Sequence, residues 1–179
     1  MRCFIAIPLD HQLKSVLEQA QIPFRLHRHR GNFTSLDNFH LTLAFNGELD
    51  QQQIAQIGLI LEDLDFQPFE LTLHELGCFN RKDGEIWWVG VKPTSHLLQL
   101  QSHLVSALRN AEIPFEDQRF VPHLTLVRNY KPRQDTASII LPQIQPVSMI
   151  VRRISLMKSE RIQGELRYTE IDWKDLNDS

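Results

Sequence analysis

The sequence predicts an α+β fold: two pseudo-symmetric lobes of mainly antiparallel sheet, with outer helices, around a central cleft. Two observations carry this. Strand and helix patterns interleave, but several strands are neighbours in sequence, which favours antiparallel pairing over a regular parallel crossover fold. The tetrapeptide His-Leu-Thr-Leu also occurs twice, at His40–Leu43 and His123–Leu126, each copy accompanied by helix and strand segments. That spacing suggests internal duplication within a single two-lobed domain covering residues 1–179.

Arg2–Leu9 reads as the first strand. Asp10 is placed to cap a helix over His11–Gln21, whose Leu13, Val16, Leu17 and Ala20 share one face. Arg25–Gly31 reads as a basic loop. The first motif strand runs over Phe39–Phe45 and is expected to close at Asn46-Gly47, a turn signal. Gln51–Leu64 has helical spacing of Ile54, Ile57, Leu61 and Leu64. Strands follow at Phe69–His74 and Ile86–Val91, joined through a polar turn at Asp83-Gly84. A third helix over Thr94–Ala111 has Leu97, Leu98, Leu100, Leu104, Val105 and Leu108 on its apolar side. Pro122 leads into the second motif strand, His123–Val127. Lys131–Pro146 reads as loop with a short strand near Ile139–Leu141, and final strands are expected over Val147–Lys158 and Leu166–Trp173.

The chain has 179 residues, 42% hydrophobic and 23% charged, the composition of a soluble globular protein with a substantial interior. Its formal charge of −3 does not predict nucleic-acid binding, so any phosphate must be recognised by local groups. Cys3 and Cys78 are too few for a disulfide framework, which fits a reducing cytoplasm. The apolar opening Met1–Leu9 is cut by Pro8 and Asp10 before it reaches the length of a signal core, and no stretch approaches the roughly 20 apolar residues of a membrane span. A cytoplasmic protein without membrane attachment is expected.

The candidate site comprises both tetrapeptides: His40, Leu41, Thr42 and Leu43, and His123, Leu124, Thr125 and Leu126. Alternation along a strand puts His40 and Thr42 on one face, and His123 with Thr125 likewise, with the four leucines as their apolar alternates. One histidine in an apolar strand is more often structural, satisfied by a backbone partner. Two at the same step before Thr are harder to explain by packing, because Val or Ile would fill the position without a polar group to satisfy. Imidazole titrates near neutrality, so one ring can remove a proton from water while another, protonated, supplies a leaving oxygen. Thr42 and Thr125 can donate to the non-bridging oxygens of a phosphate as charge builds there. Without the histidines they would be ordinary β-branched strand residues.

No His-Glu-x-x-His motif or paired-cysteine cluster is present, and neither motif has a second ligand at metal spacing. His27 and His29, and His96 with His103 on the third helix, read as solvated. A metal-free site is expected. Arg128 lies opposite the His123/Thr125 face on strict alternation, unless the strand twists or ends there; from a strand end it would reach a phosphate or stack on a base. Arg25, His27, Arg28, His29 and Arg30 form the densest positive cluster, by default a solvated loop, otherwise a hold on a polynucleotide tail. Of adjacent Trp87 and Trp88, one is expected in the core and the other at the rim or beneath a base.

These residues resemble the two-histidine (2H) phosphoesterases, most closely the RNA 2′,3′-cyclic phosphodiesterases, also called 2′-5′ RNA ligases. The likeness runs nearly end to end: Arg2–Ile7, Asn38–Phe45, Gly77-Cys78-Phe79, Trp88–Val91, Arg119–Arg128, then Ser159, Gly164 and Tyr168. Asn46 departs from it, standing where the family usually has Leu before Gly. The resemblance implies two lobes about a cleft, and hydrolysis of 2′,3′-cyclic phosphate to a 2′-phosphate end with no metal or nucleotide cofactor. It makes His40 the proton donor to the leaving 3′-oxygen and His123 the base that activates water. Thr42 and Thr125 would grip the phosphate, and Arg128 would lie near the nucleotide. Run backwards, the geometry gives 2′-5′ ligation.

The expected partner is RNA ending in cyclic phosphate, tRNA fragments among the candidates, acted on by a monomer. Two alternatives stand beside this reading. One keeps the chemistry but takes small cyclic nucleotides, 2′-5′ oligonucleotides or an ADP-ribose cyclic phosphate. The other is a nucleotide- or RNA-binding module without turnover.

Overall fold

The structure is a computed structural model that describes residues 1–26, 30–131 and 140–176. In chain order its elements are β1 (Arg2–Pro8), α1 (His11–Leu26), β2 (Arg30–Phe33), a 3-10 turn (Leu36–Asn38), β3 (His40–Glu48), α2 (Gln51–Asp63), β4 (Phe69–Arg81), β5 (Gly84–Val91), α3 (Ser95–Asn110), β6 (His123–Lys131), β7 (Ser148–Val151), β8 (Arg153–Ile162) and β9 (Glu165–Asp175). Strands β3-β1-β8-β9 form one sheet and β2-β6-β5-β4-β7 the other, and every pairing between neighbours is antiparallel. This is the expected α+β architecture.

Each sheet has one face against helices and one toward the cleft. Along β1, Cys3, Ile5 and Ile7 enter the hydrophobic core with Leu13, Leu17, Leu41 and Leu156. Phe4 and Ala6, on the opposite face by alternation, are buried outside that core. Asp10 caps α1 through Leu13 N–H at 2.8 Å. Asp50 and Gln53 form a reciprocal capping box on α2, and Thr94 caps α3 through Leu97 N–H.

Several boundaries differ from the sequence reading. α1 passes through Pro23 to Leu26, five residues beyond the expected end at Gln21. The carbonyl that Pro23 cannot satisfy belongs to Gln19, an exposed residue. The expected basic loop is divided: Arg25 lies in the last turn of α1, where its guanidinium stacks 4.2 Å over Phe33, and Arg30 begins β2. His27, Arg28 and His29 lie outside the described residues.

Asn46-Gly47 is no turn; β3 continues to Glu48. Cys3 pairs with Gly47 and Phe4 with Phe45, so Asn46 is an extra residue, and Gly47 takes φ +74° beside it. Asn46 is buried and donates through Nδ2 to the Pro114 carbonyl at 2.9 Å. That is a reason for Asn at this position.

β4 extends to Arg81 because β5 pairs with it along its outer half, closing on a two-residue turn at Lys82-Asp83 with Gly84 at φ +132°. Leu98 is 42% exposed and drops out of the apolar side of α3. The stretch read as one strand over Val147–Lys158 is two, broken at Arg152: β7 pairs with β4, and β8 with β1 and β9. Ile140 and Leu141 are exposed and belong to no strand, while Ile139 is outside the described residues.

Candidate active site

The two motif strands are built alike. In β3, Ala6 pairs with Thr42 and Ile5 with Ala44, leaving Leu43 as an extra residue. In β6, Trp88 pairs with Thr125 and Trp87 with Val127, leaving Leu126 extra. Both copies therefore end in a β-bulge at the second Leu. A bulge turns a carbonyl away from the neighbouring strand, and each is met by a helix glutamine, that of Leu126 also by the Thr34 N–H at 3.0 Å. Gln21 of α1 donates to Leu126 O at 2.8 Å, and Gln101 of α3 to Leu43 O at 3.3 Å.

The bulge also decides where Arg128 points. Strict alternation put it opposite His123 and Thr125. The extra residue shifts the parity, so Leu126 and Val127 are both buried and Arg128 returns to the cleft face. Its guanidinium donates to Thr125 Oγ1 at 3.3 Å.

One cavity is lined by His40, Thr42, His123, Thr125 and Arg128, together with Thr34, Asn38, Phe39 and Tyr168. The five polar residues expected from the sequence thus share a single cleft. The motif leucines do not; they pack away from the cleft, as their place as apolar alternates of His and Thr implies. Leu41, Leu43, Leu124 and Leu126 are all buried in the hydrophobic core, and none lines the cavity. Alternation accounts for the first leucine of each copy: Leu41 pairs with Ile7 and Leu124 with Val89, both core residues themselves. The leucines thereby anchor the strand on the helix side and leave its other face to His and Thr.

Tyr168 arrives from β9 because its sheet curls until Asn38 Nδ2 reaches Leu166 O at 2.8 Å. The Tyr168 ring stands edge-on to His40, 5.1 Å between centroids, and Phe4 packs behind both. Around His123 the matching wall is Phe79 and Trp88, with centroids at 5.3 and 5.8 Å. Trp88 therefore faces the cleft, while Trp87 turns inward toward Phe24. Residue chemistry alone gave no role to Tyr168, Thr34 or Phe4, because each reaches the site from a strand or loop distant in the chain; Phe4 and Tyr168 stood only among the residues that carry the family resemblance. His96 and His103 are exposed on α3, against Phe69 and Phe66.

Backbone carbonyls fix both imidazoles. His40 Nδ1 lies 2.7 Å from Asn38 O and His123 Nδ1 2.6 Å from Val121 O, in each case the residue two before the histidine. A carbonyl can only accept, so Nδ1 carries the hydrogen in both rings and neutral Nε2 presents a lone pair. His40 Nε2 is 2.9 Å from Thr42 Oγ1, which donates to it while the ring is neutral.

Burial pushes His40 down to about 4, helped by the charges of Arg128, His123 and Lys14 and opposed by the Asn38 carbonyl. His123 is lowered for the same reasons, by burial first and Arg128 second, against the Val121 carbonyl. Burial raises the Tyr168 hydroxyl, against the charges of Arg128 and Arg2, so it stays a donor. Both histidines are neutral at pH 7, in a cleft whose nearby fixed charges are cationic. An entering anion would meet complementary charge and raise both values. Among the described residues no helix is long and apolar enough to cross a membrane.

Comparison with known proteins agrees with this geometry. The chain is similar to an RNA 2′,3′-cyclic phosphodiesterase of Thermotoga maritima, 31% identical over 163 residues that cover 89% of this chain and 87% of that protein. A protein of the same name from Methanothermobacter thermautotrophicus is 28% identical over 96% of this chain and 97% of its own length. The fold superposes on the crystal structure of E. coli LigT complexed with 3′-AMP with a TM-score of 0.83 at 27% identity, covering 99% of this chain and 98% of that one. A family model described as the 2′-5′ RNA ligase superfamily matches residues 9–163, both motifs included, and the chain belongs to that superfamily.

Proposed function

We propose that this protein is an RNA 2′,3′-cyclic phosphodiesterase, a single two-lobed domain that opens the cyclic phosphate at an RNA end to a 2′-phosphomonoester. The observation that carries the reading is the pairing of His40 and His123 in one cleft, each with its Nδ1 hydrogen held by a carbonyl.

In this scheme His123 Nε2 takes a proton from water as the water oxygen bonds to phosphorus. The P–O3′ bond breaks, and His40, protonated in the complex, gives its Nε2 proton to O3′. The anionic substrate supplies the negative charge that His40 needs to hold that proton against burial. Thr42, released from His40 Nε2 when that nitrogen is protonated, and Thr125, held by Arg128, serve the non-bridging oxygens. The guanidinium balances charge on the phosphate. Solvent exchange afterwards removes the proton from His123 and restores one to His40. The likeness to the family supports the order of the two histidines; with an RNA 5′-hydroxyl in place of water as the nucleophile, the same steps form a 2′-5′ phosphodiester and free the 3′-hydroxyl.

The test is incubation of a defined RNA ending in 2′,3′-cyclic phosphate in EDTA, with the product's phosphate position identified. A 2′-monoester is expected, and His40→Ala or His123→Ala lowers the rate by about 10²–10⁴. A 3′-monoester would reverse the leaving-group assignment. Activity that vanishes in EDTA and returns with a divalent ion would overturn the scheme.

A further inference from the structure

The two motif strands share His, Thr and the bulge but differ in the charge that follows it. Five residues past each motif histidine, just beyond the bulge, β6 carries Arg128 and β3 carries Phe45. The cation absent from the first copy comes from another strand: the Arg2 guanidinium lies 4.9 Å over the Phe45 ring. A guanidinium stacked this way is oriented by the ring and keeps its N–H edge for an oxyanion.

Arg2 is exposed and shares the face of β1 that carries Phe4, opposite the core residues Cys3 and Ile5. Among the described residues it has neither an ion pair nor a side-chain hydrogen bond. Its charge is felt by Tyr168 in the cleft wall. It is not among the residues that line the cavity of His40 and His123. Phe4 is the residue packed on His40, and Arg2 leaves the backbone two strand steps farther on, about 7 Å. An unpaired cation on the Phe4 face of β1, outside the catalytic cavity, suits a second anion of the same ligand.

Resting on the reaction proposed above, we propose that Arg2 binds the phosphodiester on the 5′ side of the terminal nucleotide. The protein therefore selects polynucleotide ends over nucleoside 2′,3′-cyclic phosphates, which lack that phosphate.

The test compares Arg2→Ala with the unaltered protein on a short oligoribonucleotide ending in 2′,3′-cyclic phosphate and on a nucleoside 2′,3′-cyclic phosphate. Equilibrium binding of the corresponding 2′-phosphorylated products is measured beside turnover. The preference for the oligonucleotide, as a ratio of kcat/KM values, should fall about tenfold through KM. The slope of log affinity against log salt for the oligonucleotide should shrink by about 0.7, one phosphate's worth on a single strand. Arg2→Lys should recover part of the preference by keeping the charge.

Equal losses on both ligands would overturn the inference, because Arg2 would then act through the His40 wall or the fold. So would no loss on either. Absence of turnover by the unaltered protein would defeat the proposed reaction instead, and the binding ratio would still decide the role of Arg2.

Discussion

The side-chain amide of Gln21 donates at 2.8 Å to the carbonyl of Leu126, the residue that bulges out of the second motif strand. The same nitrogen lies 2.8 Å from Thr34 O, so one buried amide fastens α1 to both sides of the strand crossing that carries Thr125. Gln21→Leu removes both side-chain bonds, leaving Leu126 O with its bond from Thr34 N–H at 3.0 Å, and should cost about 1–2 kcal/mol of stability. Gln101 makes a longer and less buried bond to Leu43, so Gln101→Leu should cost less. Urea unfolding of both variants checks the order, and equal costs would remove the distinction drawn here between the two bulges.

The pH–rate profile should show which histidine the substrate recharges. In the free protein both rings are held neutral by burial and neighbouring cations. The kcat/KM profile reports the free enzyme and kcat the complex. An anion at the phosphate site raises His40, so the alkaline limb of kcat should lie about one pH unit or more above that of kcat/KM. Superimposed limbs would mean that the bound phosphate does not charge His40.

Stability should depend on pH through the same group. The folded value for His40 is about 4 and the unfolded value about 6.5. Between them the unfolded chain binds more protons, so stability rises with pH; the contribution is complete above about 6.5 and is lost as pH falls toward 4. His40→Gln should flatten this limb by about 2 kcal/mol between pH 7 and 4.5, read from urea midpoints at the two pH values. His123 adds a contribution of the same sign. An unchanged limb in the variant would place the loss elsewhere.

Gly77 is a steric device for the second lobe. A Cβ there would fall 2.2 Å from the Trp88 indole, which itself packs beside His123. Gly77→Ala must push the indole aside, at about 1–3 kcal/mol of stability. It should also lower kcat by displacing the wall behind His123. Loss of stability with unaltered kcat would show that Trp88 has no part in aligning that ring.

Much of the site was readable before any fold was known, because its chemistry lies in a local repeat. His-Leu-Thr-Leu states strand, face and reactive group together, and its second occurrence argues for a shared cleft. Within each copy the structure separates the roles: His and Thr meet the cleft, while Leu41 and Leu124 hold the strand to the core. Arg128 was readable as a candidate but not as a cleft residue. Alternation is a property of one strand, whereas a bulge is a property of two. Asn46-Gly47 misled for a related reason: the dipeptide favours tight backbone conformations, and the paired β1 used them for a bulge inside a continuing strand.

The amino-acid order by itself determined the α+β class, the two motif strands, the three helices and the four side chains offered to a phosphate, since hydrophobic period and residue chemistry act within a few positions. Tertiary structure decided the rest. It set where Val147–Lys158 divides between two sheets, how β9 curls to bring Tyr168 over His40, and which helix glutamines secure the two bulges. Each of those depends on partners far along the chain, and a strand's own sequence does not specify the register of its neighbour.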